Sequence, residues 1–283
     1  MGFTTDKYLS VVQDNRISQT AYITKKEDDL SLYHKRLISI VVSHIKKEDE
    51  EFKVETISFK DFMNIMNITV GGNTEKKIEE CVNSLIGKTF FIQSNDMLNP
   101  INLTWVEPKN TNIDFEKKTI SIQLHKSLEE YFLNLHGNFT SYQIGYTAEF
   151  KSKYTYRLYE YLHSYVGQGF IILERNKALK ILANNSYTQI GDFKRNVLKN
   201  AIDEINEYTD LSVKYKAKRD GKKITHYFFS IKKKSQDDID IIREDWIDRR
   251  STYEEIANEF SKFINSDSDA DKETEINYQT EVL

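Results

Sequence analysis

The feature that most constrains this chain is a pair of alternating runs separated by Asp-Gly, within LSVKYKAKRDGKKITHYFFSI at residues 211–231. Apolar and polar side chains alternate in both runs, which is the period of a half-buried β-strand. Asp-Gly is a strong signal for a tight turn between two such strands. We therefore predict a β-hairpin with one apolar face and one face toward solvent.

The residues before this hairpin predict three helices and one strand. In chain order they are a helix in KSKYTYRLYEYLHSYV, a strand in FIILER, a short helix in NKALKILA, a turn in NNSYT and a longer helix over 189–208. In the first helix, Tyr154, Leu158, Tyr161, Leu162 and Tyr165 share one face, which we expect to be core rather than a phosphate contact. The order helix, strand, helix, turn, helix, hairpin is that of a winged helix, the helix-turn-helix variant with a β-wing.

The first half of the chain shows a similar order about 120 positions earlier. The order strand, helix, turn, helix, strand occurs both in ISFKDFMNIMNI…IEECVNSLIGKTFFIQ and in IILERNKALKILA…VLKNAIDEINEYTDLSV. In this comparison Cys81 and Leu85 correspond to Ala201 and Ile205. A helix over 29–48, capped by Asp28 or Asp29, precedes it, and strands in INLTWVE and KTISIQL and a helix in SLEEYFLNL follow. Such a long period indicates a duplicated domain. We predict an α+β fold of two tandem winged-helix domains, over 1–140 and 141–234, with an acidic tail over 235–283.

Charge is distributed unevenly among these three parts. Residues 1–150 hold 17 Lys/Arg against 21 Asp/Glu, residues 151–234 hold 18 against 8, and residues 235–283 hold 5 against 15. The segment of net charge +10 indicates a polyanion as partner. The tail reads as a helix that passes into a polar, charged end typical of disorder.

The helix over 189–208 carries the side chains that suit base reading. Ile190, Phe193, Val197, Leu198, Ala201 and Ile205 share an apolar face. The opposite face offers groups able to bond base edges in the major groove: Gln189, Asp192, Arg195, Asn196 and Lys199. Acidic residues follow in the C-terminal half of the helix, which lies outside the groove when the helix enters the groove by its N-terminal end. A solvated helix face is the alternative interpretation.

Basic residues around this helix predict phosphate contacts. On the hairpin they alternate with the apolar face or surround the turn: Lys214, Lys216, Lys218, Arg219, Lys222 and Lys223. Three more basic residues, Lys151, Lys153 and Arg157, precede the helix over 189–208, and Lys194 lies within that helix. A lysine-protected edge strand is the alternative for the hairpin. In the first half, Lys76 and Lys77 could touch phosphate, but Glu75, Glu79 and Glu80 make that helix a poor base reader.

Catalytic and metal motifs do not emerge from the sequence. GKT at Gly87–Thr89 follows a helix rather than a strand, and Val82 stands where a phosphate loop requires Gly. The six histidines form neither a His-X-His pair nor a Cys/His cluster. We therefore expect a protein without enzymatic activity, metal or cofactor. The single cysteine, Cys81, and the lack of a long apolar run favour a cytoplasmic setting without membrane contact.

Three stretches resemble the initiator Rep proteins of iteron plasmids. They are NRISQTAYITKKEDDLSLYHKRLI, KSKYTYRLYEYL and DFKRNVLKNAIDEINEYTDLSVKYKAKRDGKKITHYFFSI. The resemblance spans roughly residues 10–232, and the run AIDEIN…TDLSVKYK…GKKITH is its most specific part. It implies two winged-helix domains, of which the second binds origin repeats through the helix over 189–208. The first would contact adjacent DNA or form a dimer, and host replication proteins would help to open the origin. The acidic tail is not part of the resemblance.

The sequence thus predicts a plasmid replication initiator that binds direct repeats of double-stranded DNA and exists as monomer and dimer. A winged-helix transcriptional regulator is the first alternative. A rolling-circle nickase is a more distant one, because it would need a paired metal-binding histidine motif beside its tyrosine.

Overall fold

The computed structural model describes residues 10–21, 25–66, 73–93, 99–242 and 244. The first half of the chain contains, in order, β1 (Ser10–Asp14), α1 (Asn15–Gln19), α2 (Leu32–Ser43), β2 (Glu55–Ser58), α3 (Phe59–Met66), α4 (Thr74–Leu85), β3 (Thr89–Ile92), β4 (Ile101–Thr104), β5 (Asn112–Asp114), β6 (Thr119–Ile122), α5 (Glu129–Phe132) and β7 (Phe139–Gln143). Short 3-10 turns lie at Lys26–Asp28, Pro108–Asn110, Lys126–Leu128 and Ile144–Thr147. Residues 67–72, where the sequence NITVGG predicts a turn between α3 and α4, fall outside the described residues.

The second half contains α6 (Lys153–His163), β8 (Phe170–Glu174), α7 (Arg175–Ala183), α8 (Ile190–Phe193), a π-helical segment (Lys194–Lys199), α9 (Asn200–Tyr208), β9 (Leu211–Asp220) and β10 (Lys223–Lys233). We call residues 190–208 the reading helix, and the hairpin of β9 and β10 the wing. Residues up to Ile239 belong to one compact unit. Of the predicted acidic tail, residues 235–242 and 244 are described.

Strand pairing follows the winged-helix order in the second half. There, β10 lies between β8 and β9 in an antiparallel sheet. In the first half β3 and β4 form a hairpin, but β2 pairs with β6 in a separate sheet of order β2-β6-β5. This pairing sets Ile57 opposite Ile120, and both are buried, so β2 gains an apolar neighbour. The similarity between the halves therefore concerns the order of elements and does not extend to their sheets.

A two-stranded sheet that the sequence did not predict ties the start of the chain to its middle. β1 pairs antiparallel with β7, with Val11 opposite Tyr142, and both side chains are buried. Each strand has five residues, and more than a hundred positions separate them. The predicted division after residue 140 falls inside β7.

Helix α2 is shorter than predicted and is capped differently. It begins at Leu32, and its N-cap is Ser31 rather than Asp28 or Asp29. The Ser31 side chain accepts from the His34 amide, while His34 Nδ1 accepts from the Ser31 amide, which makes a capping box. Asp28 is occupied elsewhere, since its carboxylate accepts from the amide and hydroxyl of Thr89.

The predicted face of helix α6 is buried at Leu158, Tyr161 and Leu162, and burial extends beyond that face. Tyr156, Tyr159 and Tyr161 are fully buried, whereas Tyr154 and Tyr165 are half-buried. The physical reason is that α6 packs against α1 and α2 on one side and against α7 and α9 on the other. The tyrosines are core, as expected, but they fill two interfaces.

Buried polar contacts around α6 join the two halves of the chain. The Glu160 carboxylate accepts from Lys35 Nζ at 2.7 Å and from the Tyr142 hydroxyl at 2.8 Å. Arg36 on α2 donates to the carbonyl oxygens of Ala148 and Phe150 in the connection between the halves. These bonds pair groups that would otherwise be costly to bury.

Two kinds of feature are absent from the described residues. Across the ranges given above, no helix is both long and apolar enough to span a bilayer. In the same part of the chain, no group of three or more His, Cys, Asp and Glu side chains could hold a metal ion.

Candidate nucleic-acid interface

The reading helix is held by an apolar face close to the predicted one. Phe193, Val197, Leu198 and Ile205 are fully buried, and Ala201 is nearly so. Before the helix, Asn184 and Asn185 both adopt the left-handed conformation, with φ of 48° and 55°, which Asn tolerates better than most residues. Their amides donate to Lys180 and Leu179 carbonyl oxygens and close α7, as the NNSYT turn predicted.

A π-helical segment at Lys194–Lys199 interrupts the reading helix. The spacing of the core suits such a turn, because Phe193, Val197, Ala201 and Ile205 repeat every four residues. A regular α-helix turns every 3.6 residues, so a strict four-residue repeat drifts away from one side. A wider π turn brings the later residues back toward the core, and such turns are frequent at functional sites. This turn carries Arg195, Asn196 and Lys199.

Three of the five predicted base-reading residues form one hydrogen-bonded group. Arg195 Nη2 donates to Asp192 Oδ1 at 2.6 Å, and Arg195 Nε donates to Asn196 Oδ1 at 3.3 Å. The Arg195 side chain is nevertheless 71% exposed, and a guanidinium with five N–H donors keeps others for a partner. Asp192 thus orients Arg195 while leaving it available to a base edge.

The other two reading candidates lie at either side of this group. Gln189 is exposed at the N-cap of the reading helix, where its side chain makes no capping bond. Lys199 is exposed at the end of the π segment, 3.9 Å from Asp203. The structure therefore places all five residues along the front half of the helix.

The rear of the reading helix differs from the sequence interpretation. Asn206 looks like a residue of the outer face in the sequence, but its side chain accepts from the Val213 amide at 2.6 Å and donates to the Val213 carbonyl oxygen at 2.9 Å, and so ties the helix to β9. Asp210 is buried rather than solvent-facing, and it accepts from the Tyr159 hydroxyl at 2.9 Å and lies 3.3 Å from His163 Nε2. These contacts fix the angle between helix and wing, and nothing in the sequence pattern distinguished them from surface acids and amides.

The wing has the predicted two faces. Leu211 and Val213 are buried and Tyr215 and Ala217 half-buried, whereas Lys214, Lys216 and Lys218 are exposed. Tyr215 packs on Tyr227 and Phe229 of β10, which makes the inner face aromatic.

The turn of the wing is the two-residue loop Gly221–Lys222, between the paired residues Asp220 and Lys223. Gly221 has a φ of 55°, as the first position of a type II′ turn requires. Arg219, Lys222 and Lys223 are exposed there, so the tip of the wing is strongly basic.

The predicted phosphate contacts on α6 and before it fall into two groups. Lys151 is exposed. Lys153 instead pairs with Asp29, and Arg157 lies toward the Ala21 carbonyl oxygen in a small cleft between the halves. Arg157 is half-buried there, and its burial lowers the pKa of the guanidinium. The placement of Lys153 and Arg157 argues against both as phosphate contacts.

Lys194 and the first half offer further basic side chains. Lys194 is half-buried, as its position near the apolar side of the helix suggested. Lys76 and Lys77 are exposed on α4, where Lys76 lies 3.9 Å from Glu80. The acids of α4 leave it without the concentrated positive charge of the wing.

Comparison with known proteins agrees with this architecture. A family model described as "Initiator Replication protein, WH1" matches residues 10–163, and one described as "Initiator Rep protein, WH2" matches residues 176–231. Among solved structures, the "Pi initiator protein in complex with iteron DNA" has 20% sequence identity and a TM-score of 0.65 over 80% of this chain and 98% of that one. Domains 2–3 of RctB have 11% identity and a TM-score of 0.43 over 74% of this chain and 83% of that one. The Pi structure shows a shared fold.

The two family models together cover most of the chain and leave residues 164–175, which include β8, outside both matches. They confirm the two winged-helix domains predicted from the order of helices and strands. The chain belongs to the initiator replication protein family, with a WH1 and a WH2 domain.

Proposed function

We propose that this chain is a plasmid replication initiator that binds direct repeats of duplex DNA sequence-specifically and helps to open the origin with host replication proteins. The observation that carries this proposal is the reading helix beside a basic wing in the WH2 half. The Pi initiator, which shares the fold, was solved in complex with iteron DNA. Family and geometry together support repeats of the same kind as the target.

The mechanism follows from the direction of the reading helix. Its N-terminal end carries Gln189, Asp192, Arg195 and Asn196, and its first-turn amides form the positive end of the helix dipole. When the N-terminal end of the helix enters the major groove, these side chains face the base edges. Lys199 lies furthest from that end and is the last of the set that can contact a base. Asp203 and Glu207 at the rear are exposed and would remain outside the groove.

The wing supplies the sequence-independent part of the affinity. Lys214, Lys216 and Lys218 share one exposed face, and Arg219, Lys222 and Lys223 surround the tip. Each lysine or arginine that neutralises a phosphate releases counterions, so binding weakens with salt. The proposed division is that the reading helix selects the sequence and the wing holds the backbone.

The WH1 half is proposed to contact flanking DNA through Lys76 and Lys77 or to form a dimer. Its α4 lacks a base-reading set, which supports a role in assembly. We further propose that the protein acts in the cytoplasm and has no strand-cutting activity, metal or cofactor of its own. The family assignment supports initiation through binding and through host enzymes.

A replication assay tests this function. The gene and its flanking DNA are circularised with a selectable marker and no other origin, and then introduced into a bacterial host. We expect colonies from the intact gene and none from a frameshifted one, with rescue when the chain is supplied in trans. A regulator of the same fold would leave replication indifferent to the frameshift or absent in both cases.

A further inference from the structure

The outer face of the β8-β10-β9 sheet is divided lengthwise into an apolar and a basic side. Residues paired across strands point to the same face, so the register places Ile172, Phe228 and Lys216 in one row. The next row holds Phe170, Ser230 and Lys214. Apolar side chains therefore occupy β8 and the middle strand, and lysines occupy β9.

The apolar side is exposed although its members are large. Phe170 is 52% exposed, Ile172 47% and Phe228 38%. Single exposed apolar residues are ordinary, but three that adjoin across two strands form a patch, and such patches typically mark an interaction surface. We call these three residues the apolar strip.

The position of the strip separates it from the basic tip of the wing. Lys216, in the row of Ile172 and Phe228, lies five residues before Gly221, which is about 17 Å along a strand. A duplex held by the tip offers phosphates and few apolar groups, so it gives the strip no partner. Single-stranded DNA is also a poor match, because bases stack on aromatic rings and Ile172 stands between the two phenylalanines.

An amphipathic helix with an acidic flank fits both sides of this face. Strands lie about 4.8 Å apart, and a helix is about 10 Å wide, so one helix laid along β10 covers the sheet from β8 to β9. Its apolar stripe would rest on the apolar strip while carboxylates on one flank meet Lys214 and Lys216. These are the lysines that the proposed function assigns to phosphates, so the helix and the duplex would compete for them. We infer that the outer face of this sheet docks an acidic amphipathic helix of a partner protein.

Peptide binding to the full chain tests the inference. The probe is a fluorescein-labelled peptide of about 18 residues, long enough to be helical, with a leucine stripe and glutamates along one flank. Anisotropy should show saturable binding, and Ile172→Ser should weaken it about tenfold. Val54→Ser, at an equally exposed residue outside the sheet, should leave it unchanged. Unchanged duplex binding by Ile172→Ser would show that this variant is folded.

Charge selectivity and competing occupants complete the test. A peptide with lysines in place of the glutamates should not bind, and Lys214→Glu should abolish binding of the acidic peptide. The inference is overturned if the acidic peptide shows no saturation or if both peptides bind alike. It is also overturned if Ile172→Ser spares the peptide but weakens binding of an oligo-dT strand. Self-association of the chain that Ile172→Ser abolishes would contradict it as well, since the face would then bind a second copy.

Discussion

Replacing Arg195 with alanine should remove sequence preference at one base pair without unfolding the protein. The side chain is 71% exposed, and its ion pair with Asp192 lies at the surface, where such pairs contribute about 0–1 kcal/mol to stability. A bidentate arginine contact discriminates against a wrong base by about 1–3 kcal/mol, which corresponds to a factor of roughly 5 to 150 in affinity. The loss should therefore appear in binding and hardly in the free energy of unfolding.

The assay compares duplexes in which each base pair of the bound repeat is changed in turn. Arg195→Ala should bind the altered and the native base pair equally at one position and keep its preference at the others. Lys216→Ala is the control: it should weaken binding to all duplexes alike and reduce the salt slope by about one. If the two variants show the same profile across the panel, the division between reading helix and wing is wrong.

Three further predictions concern other parts of the chain. Lys151→Ala should lower duplex affinity and flatten its salt dependence, whereas Lys153→Ala should do neither because Lys153 is paired with Asp29; equal effects in a filter-binding titration would refute this. His34 has its pKa lowered to about 4, chiefly by burial, so its contribution to stability is complete above pH 6.5 and declines as the pH falls toward 4. Urea unfolding should show about 2 kcal/mol less stability at pH 5 than at pH 7 from this group, and His34→Asn should remove that part of the difference. Supercoiled origin DNA incubated with the protein and Mg²⁺ should stay uncut on a gel, and relaxed or covalently bound product would reveal a nickase.

The elements with strong local patterns were predictable from sequence. The four-residue apolar repeat of the reading helix and the alternation around Asp-Gly in the wing each specify a period and a buried face. Both appear in the structure close to their predicted bounds. The exposed positions proposed for base reading follow from that helix, because the buried face of a helix defines its exposed one.

The features that sequence reasoning missed depend on distant partners. β1 and β7 are short strands whose pairing joins residues more than a hundred positions apart. Asp210 and Asn206 look like surface residues until α6 and β9 are placed beside them. Lys153 and Arg157 look like free cations until the first half of the chain supplies Asp29 and the Ala21 carbonyl oxygen.

The π-helical segment at Lys194–Lys199 could not be predicted from the sequence. The four-residue spacing from Phe193 to Ile205 is plain in the sequence, yet it is compatible with a curved α-helix as well as with a π turn. The choice between a curved α-helix and a π turn depends on how that face packs against the rest of the WH2 half. The helix geometry in turn determines the directions of the Arg195 and Asn196 side chains.

Footprinting on the DNA that carries the gene distinguishes an initiator from a regulator. We expect protection of several direct repeats in one orientation, and Arg195→Ala should need roughly 5 to 150 times more protein to give the same protection. Protection of a single inverted repeat at a promoter, and of nothing else, would contradict the initiator and favour a transcriptional regulator.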